Sequence, residues 1–265
     1  MKYLLSSCML TVGGALALLA CTQLPAETNP VQLSGQAMTS LTAPTPPAAT
    51  DTTGYQTRPA RDPNGIGRYY LGRQIAHVMG HEGASWLERS DRQQEEGTDI
   101  LLRELKLKPT DVVADIGAGT GFFSFRMAKL VPRGQVLAVD IQPEMIAELE
   151  RNKRASQAPN VRPVLGTTSD PKLPAGSVDL ALIVDAYHEF DHPREMGQAI
   201  RAALRPGTGR LALVEYRAED PSVPIKQIHK MSVAQARKEM AAVGLEFVEV
   251  IESLPQQHLL IFRRK

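Results

Sequence analysis

The stretch Asp111-Val-Val-Ala-Asp-Ile-Gly-Ala-Gly-Thr-Gly-Phe-Phe-Ser-Phe125 decides the fold. It opens with an apolar run rich in β-branched residues, Val112 to Ile116, which predicts a buried strand. Three glycines follow at alternate positions, and an amphipathic run from Phe122 to Leu130 then predicts a helix. A strand, a glycine turn and a helix in this order are typical of the corner at which an α/β sheet binds a nucleotide or nucleoside.

The spacing of the glycines indicates which ligand this corner binds. A dinucleotide-binding fingerprint has the pattern G-x-G-x-x-G. Here the glycines are Gly117, Gly119 and Gly121, and Phe122 stands where the fingerprint has its third glycine. Asp115 precedes the loop, and its carboxylate would repel a phosphate but would suit an ammonium group or a bound water. The pattern therefore predicts a nucleoside with a zwitterionic or cationic tail.

A second predicted strand, Gln135 to Val139, ends at Asp140, about twenty residues past the glycines, where an acid accepts both ribose hydroxyls. At these residues the sequence resembles the class I S-adenosylmethionine-dependent methyltransferases. The matching pieces are Val113 to Gly121, Asp140, and the run from Leu173 to Asp185. The alternatives are a nucleotide-binding α/β domain of another kind and a methyltransferase fold that has lost catalysis.

The resemblance covers residues 99–265 and implies the architecture and the chemistry. The expected fold is an α/β, seven-stranded, mostly parallel Rossmann-like sheet with a C-terminal antiparallel hairpin and N-terminal cap helices. The expected cofactor is S-adenosylmethionine, whose methyl group would pass to a small-molecule acceptor by in-line displacement. The resemblance implies that the cofactor contacts Asp115, Gly117, Ala118, Gly119, Gly121, Asp140, Ile141, Gly166, Thr167 and Asp185.

The adenine contact departs from the family pattern. Many relatives carry an aspartate after the third strand that hydrogen-bonds the adenine amino group. Here Thr167 and Thr168 occupy the nearest positions, and Asp170 comes later. We therefore expect Gly166 and Thr167 to act through their backbone groups.

The acceptor is expected at the end of the fourth strand, which runs from Val178 to Val184 and leads into Asp185-Ala-Tyr-His-Glu-Phe-Asp-His192. Ligands bind at the carboxyl ends of such strands. We predict His188 as the catalytic base, with Glu215 as the second candidate, because histidine titrates near neutral pH. The predicted acceptor contacts are Met79, His81, Trp86, Tyr187, Tyr216 and His229. For Trp86 the alternative is a packing role, and for His81 it is a surface position.

The same segment contains a literal H-E-x-x-H, from His188 to His192. A zinc hydrolase would need both histidines on one face of a helix, one turn apart. Pro193 disfavours helical geometry at His192, and no third ligand is obvious. We therefore predict no metal site from this motif.

The N-terminal quarter differs from the rest of the chain. Residues 1–20 combine Lys2 with an apolar run and predict a secretion signal. The signal ends Leu18-Leu-Ala-Cys21, which resembles a bacterial lipobox, so we expect lipidation at Cys21, with simple cleavage as the alternative. With Thr22 after the cysteine, we expect a membrane-anchored lipoprotein facing the periplasm, in the outer membrane.

Two further segments are expected before the methyltransferase domain. Residues 21–61 are rich in Pro, Thr and Ala and predict a disordered tether, because they cannot bury enough apolar surface to fold. Residues 62–98 predict a helical cap, with Ile75, Val78 and Met79 at helical spacing.

Overall composition and export shape the functional alternatives. The net charge of +1 gives no sign of nucleic-acid binding, and the sequence does not predict the oligomeric state.

S-adenosylmethionine is made in the cytosol, whereas the signal directs the chain outwards. A second hypothesis is therefore an exported lipoprotein that uses the methyltransferase fold as a non-catalytic binding module.

Overall fold

A computed structural model describes residues 53–264. The predicted signal peptide, the lipidation site at Cys21 and the tether as far as residue 52 lie outside the described residues. Within residues 53–264, no helix is both long enough and apolar enough to cross a bilayer.

The main sheet has eight strands, which are β4 (Val112–Ile116), β5 (Gln135–Asp140), β6 (Val161–Leu165), β7 (Leu180–Val184), β8 (Arg210–Arg217), β9 (Lys230–Met231), β10 (Leu245–Ile251) and β11 (Gln257–Arg264). They follow the order β10-β11-β8-β7-β4-β5-β6, with the short β9 paired to β8. All the neighbouring pairs from β6 to β8 are parallel, whereas β11 pairs antiparallel with both β8 and β10. This confirms the predicted mostly parallel sheet with its C-terminal hairpin; β9 is an eighth strand.

Helices cover the sheet, and two large apolar clusters fill the interior. Alternate residues of β4 separate into the two clusters: Ala114 and Ile116 belong to one, and Val113 belongs to the other. A strand that contributes to both is covered on both faces, which explains why the parallel strands are almost wholly apolar. The helices are α1 (Ala84–Leu87), α2 (Arg92–Glu96), α3 (Thr98–Glu104), α4 (Phe122–Leu130), α5 (Pro143–Ala155), α6 (Pro193–Ala203) and α7 (Val233–Ala242).

The segment before α1 is a small antiparallel sheet, which corrects two predictions. Its strands are β1 (Tyr55–Thr57), β2 (Gly65–Tyr70) and β3 (Arg73–Ala76), in that order across the sheet. The predicted helix through Ile75 is wrong, because Ile75 packs with Tyr55 and Tyr70 in a core of its own.

The predicted tether is also too long, because β1 lies inside it. Tyr55 pairs with Tyr70 in the β1–β2 ladder, and its ring lies 4.9 Å from that of Tyr70. The predicted helical cap at residues 62–98 is accordingly a mixture of two strands and the short helices α1 and α2.

One buried ion pair joins this small sheet to the main domain. Arg73 on β3 donates from Nε and Nη2 to the two carboxylate oxygens of Glu239 on α7, at 2.7 and 2.8 Å. Its Nη1 donates to the carbonyl of His188 at 3.1 Å. Glu239 is fully buried, so the guanidinium is needed to balance its charge.

We expect Arg73→Met to lower the free energy of unfolding by about 3–5 kcal/mol, because it leaves the Glu239 carboxylate buried without a counter-charge. Urea denaturation followed by circular dichroism measures the change. Arg205→Met is the control: Arg205 pairs with Asp179 at a partly exposed site, where loss of a pair costs under about 1 kcal/mol. Equal losses in the two variants would contradict a structural role for the buried pair.

Candidate active site

A cavity of about 480 Å³ lies at the carboxyl ends of β4, β5, β7 and β8. Parallel α/β sheets bind ligands at this edge. The cavity is closed on one side by α1 and α2 and on another by the segment before β9. The predicted residues that line it are Met79, Trp86, Gly117, Gly119, Asp140, Ile141, Asp185, His188, Tyr216 and His229.

The glycine loop lies close to its neighbours. Gly117 and Gly119 have φ values of 78° and 55°, in the left-handed region that favours glycine. A Cβ at Gly117 would lie 2.9 Å from the Cβ of Ala186, and one at Gly119 would lie 2.5 Å from a methyl carbon of Leu87. These two glycines therefore leave backbone exposed to the cavity where a side chain would not fit.

Asp140 connects the glycine loop to the following segment. Its Oδ2 accepts from the Gly119 amide and its Oδ1 from the Gln142 amide, both at 2.9 Å. Burial raises the pKa of Asp140, and these backbone hydrogen bonds oppose the rise. The Gln142 side chain in turn donates to the Met79 carbonyl at 3.0 Å. Asp140 thus lines the cavity and also orients the loop beside it.

Asp115 lies beneath the loop. It is 3% exposed, it is not among the cavity-lining residues, and its Oδ2 accepts from the Ser124 hydroxyl at 2.6 Å. Burial raises the pKa of Asp115 to about 6, although the hydrogen bond from Ser124 and the charge of Arg92 lower it. The predicted cofactor contact is therefore a buried carboxyl that supports the start of α4.

Asp185 combines a left-handed backbone conformation with a buried carboxyl group. It follows β7 with φ 49°, in the left-handed region although it is not a glycine. Gln257 donates to Oδ2 at 2.6 Å, whereas Oδ1 is buried without a hydrogen-bond partner among the described residues. Burial raises the pKa of Asp185 well above its ordinary value, and the nearby charge of Glu96 adds to this. A buried, unpaired carboxylate oxygen suits a cationic ligand.

Glu96 is a cavity residue that the sequence analysis missed. It accepts from Arg92 Nε at 2.8 Å and from the Tyr216 hydroxyl at 3.1 Å. Arg89 also pairs with it and stacks on the half-exposed ring of Trp86, 3.9 Å from the ring centroid. Arg92 lies one helical turn before Glu96, but the Tyr216 hydroxyl reaches Glu96 only in the folded chain, and the sequence gives no sign of that contact.

His188 and Glu215 form a buried pair at the opposite side of the cavity. His188 Nδ1 lies 2.6 Å from Glu215 Oε2, and the His188 backbone N–H donates to Oε1 at 3.2 Å. Burial lowers the pKa of His188, but the charge and hydrogen bond of Glu215 outweigh it, so the net shift is upward. Glu215 does not line the cavity, so it acts on His188 and has no direct access to a ligand.

Besides Asp115, four predicted cofactor contacts lie away from the cavity. Ala118 is part of the hydrophobic core. Gly121 precedes α4, where a Cβ would meet the Phe125 ring at 2.3 Å, so it serves helix packing. Gly166 and Thr167 are also absent from the lining, and Thr168 takes their place there.

Two predicted acceptor contacts also lie elsewhere. Tyr187 is fully buried in the core beside Phe190, because the turn after β7 directs His188 and not Tyr187 to the cavity. His81 is exposed and lies near Glu82.

The H-E-x-x-H interpretation is excluded by geometry, because His188 lies in a short 3-10 turn and His192 lies outside it, 3.0 Å from Arg68.

We expect Asp115→Asn to flatten the pH dependence of stability. A carboxyl whose pKa is raised by folding stabilises most below its unfolded pKa, and that contribution is lost as pH rises from about 4 to about 6. The wild type should therefore lose about 3 kcal/mol relative to Asp115→Asn between pH 4 and pH 7. Urea titrations of both proteins at each pH measure the difference. A constant difference across that range would contradict the buried, protonatable carboxyl.

The comparisons with known proteins agree with this geometry. Residues 113–209 match the family model described as a methyltransferase domain. A methyltransferase-like protein of Schizosaccharomyces pombe, named as uncharacterised, is 33% identical over 135 residues, which are 51% of this chain and 49% of that protein. An uncharacterised methyltransferase of Mycobacterium bovis is 42% identical over 103 residues, 38% of each chain. The chain thus spans half or less of the length of these relatives.

Among solved structures, a SAM-dependent methyltransferase from Aquifex aeolicus superposes with a TM-score of 0.66 and 20% identity, covering 70% of this chain and 98% of that one. At that identity the likeness establishes the fold. The chain therefore has the Rossmann-like methyltransferase fold, residues 113–209 match the methyltransferase domain family, and these findings support S-adenosylmethionine as the cofactor.

Proposed function

We propose that the protein transfers a methyl group from S-adenosylmethionine to a small-molecule acceptor. The observation that carries this proposal is the composition of the cavity. The glycine loop and Asp140 lie on one side, and the His188–Glu215 pair lies on the other. A volume of about 480 Å³ is within the usual range of small-molecule sites.

The residues of this cavity fit the proposed cofactor. The left-handed glycines Gly117 and Gly119 let a ligand approach the backbone closely. Asp140 lies where ribose hydroxyls need an acceptor. The unpaired oxygen of Asp185 belongs to a buried carboxyl group, whose anionic form a sulfonium or ammonium would stabilise. When bound, S-adenosylmethionine supplies a methyl group already activated for in-line displacement.

The task left to the chain is alignment and proton removal. Holding two reactants in line accounts for up to about 7–11 kcal/mol of a barrier in favourable cases. We propose His188 as the base for an N or O acceptor, because Glu215 holds its Nδ1 and leaves Nε2 toward the cavity. The acceptor's proton would pass to Nε2. Glu215 is a positioning residue in this proposal.

The experiment that tests the function combines calorimetry and labelled transfer. We expect the wild type to bind S-adenosylmethionine, and Asp140→Ala to bind it about 10–100-fold more weakly, because a hydrogen bond to a charged group is worth about 1.5–3 kcal/mol. His188→Gln should keep the wild-type affinity for the cofactor. It should slow transfer of labelled methyl to a cell metabolite extract by about 100-fold, the usual effect of losing a general base.

The outcomes separate the enzyme from the alternative. Absence of cofactor binding in the wild type would refute the proposed function. Tight binding with no labelled product in any extract would favour the non-catalytic binding module. Equal transfer rates for His188→Gln and the wild type would remove His188 as the base and leave the methyltransferase proposal standing.

We also propose that the protein is exported and lipidated at Cys21. The support is the sequence alone: an apolar run after Lys2 that ends Leu18-Leu-Ala-Cys21. Labelled palmitate should be incorporated by the wild type and by Cys8→Ser, but not by Cys21→Ser. Labelling of Cys21→Ser at the wild-type level would contradict this assignment.

A further inference from the structure

Three side chains at the acceptor side of the cavity offer ligand atoms to a common point. His188, Glu189 and His229 each place one such atom within 4.8 Å of the others. His188 Nε2 lies 3.8 Å from Glu189 Oε1, and the rings of His188 and His229 lie 5.1 Å apart in an edge-on arrangement. All three residues line the cavity. Two imidazoles and one carboxylate form a ligand set found in both zinc and iron sites.

A separate observation concerns the other nitrogen of His188. Its Nδ1 lies 2.6 Å from the Glu215 carboxylate, and both side chains are buried. A histidine that binds a metal usually donates its second ring N–H to a carboxylate, which fixes the tautomer and turns the free nitrogen toward the ion. The Glu215 contact therefore presents Nε2 as an acceptor at the point where Glu189 and His229 converge.

The backbone around the cluster holds these residues in place. Glu189 Oε2 accepts from the Met79 amide at 3.2 Å, and Arg73 donates to the His188 carbonyl at 3.1 Å. His229 ends the short 3-10 turn Gln227–His229 that precedes β9. The ligands therefore come from two different segments, the turn after β7 and the turn before β9, and a shared ion would join them.

We propose that His188, Glu189 and His229 bind one divalent transition-metal cation, with zinc as the reference ion, and that Glu215 orients His188. This inference rests on the proposed function for its chemical role. Three protein ligands leave a coordination position open toward the cavity. An acceptor hydroxyl bound there would ionise more readily, and its proton would pass to water at the open side of the cavity. His188 Nε2 would be a ligand in the metal-bound protein, where the cation would activate the acceptor, and the base role proposed above would apply to the metal-free protein.

The site differs from the literal H-E-x-x-H motif. His192 contacts Arg68 and Asp191 outside the cluster, whereas His229 lies forty residues further along the chain than Glu189. His192 therefore offers a matched control. A zinc site built on the H-E-x-x-H motif would need His192 as a ligand and not His229. The proposed site needs His229 and not His192.

The test measures metal binding directly, on tag-free full-length protein treated with a chelator. We expect zinc to bind with one-to-one stoichiometry by calorimetry, and cobalt to give visible absorption bands at the same stoichiometry. Glu189→Gln and His229→Gln should each weaken binding more than 100-fold. Glu215→Gln should weaken it 10–100-fold, the usual effect of a residue behind the ligands. His192→Gln should bind as the wild type does.

Several outcomes would overturn the inference. They are no stoichiometric binding by the wild type, wild-type affinity in both His229→Gln and Glu189→Gln, or loss of binding in His192→Gln. Circular dichroism of each variant confirms that it is folded, and the near-isosteric Glu189→Gln and Glu215→Gln keep the test valid if His229→Gln unfolds.

Failure of this inference and failure of the proposed function give different results. Calorimetry with S-adenosylmethionine on the chelator-treated protein reports the cofactor site without the metal. Cofactor binding without metal binding would refute the proposed metal site and leave the methyltransferase proposal standing. Metal binding without cofactor binding would keep the site and refute the methyltransferase proposal.

Discussion

The hydrogen bond from the Gly119 amide to the Asp140 carboxylate joins the loops that follow two neighbouring parallel strands. Strand β4 ends at the glycine loop and β5 ends at Asp140, so this contact sets the spacing of the two loops. The amides of Gly117 and Ala118 add two more bonds to the Val139 carbonyl, each 2.9 Å long. These hydrogen bonds therefore hold the glycine loop in place on this side of the cavity.

The acidic residues around the cavity differ in how far neighbouring groups offset the charge of their carboxylates. Glu96 is neutralised by two arginines, and Glu215 is paired with His188. Among the described residues, Asp115 has only the Ser124 hydroxyl as a side-chain hydrogen-bond partner, and one oxygen of Asp185 has no partner. Burying a carboxylate without a counter-charge is unfavourable unless it is protonated. A sulfonium or ammonium group would remove that cost at Asp185, which is why we propose that the charged end of the cofactor lies beside this residue.

The parts of the fold that the sequence predicted depend on local pattern. The run Val112 to Ile116, the alternate glycines and the acid at Asp140 each carry their signal within a few residues. The helical spacing of Ile75, Val78 and Met79 was misleading, because only Ile75 belongs to an element, the strand β3, which packs under Tyr70. A short strand and a helical turn place apolar residues at overlapping positions, so tertiary packing decides between them.

Much of the site was predictable because the ends of strands supply it, whereas Met79, Trp86 and His229 were predicted from the resemblance to the family. His188 and Asp185 follow β7 directly, so the rule for strand ends located both. Glu96 and Glu189 were missed as site residues, because their partners Tyr216 and Met79 are remote in sequence. Conversely, Tyr187 was assigned to the acceptor because it lies in the segment that follows the fourth strand, whereas the 3-10 turn there directs adjacent side chains to different sides.

The arrangement around His188 links these observations to chemistry. One ring nitrogen is committed to a buried carboxylate, so the imidazole is fixed, and only Nε2 can interact with a ligand. In the metal-free protein, Nε2 is free to take the acceptor's proton. It also lies near Glu189, and the His229 ring lies beside that of His188. A cation satisfies all three at once, because each can donate a lone pair to it without a proton between them.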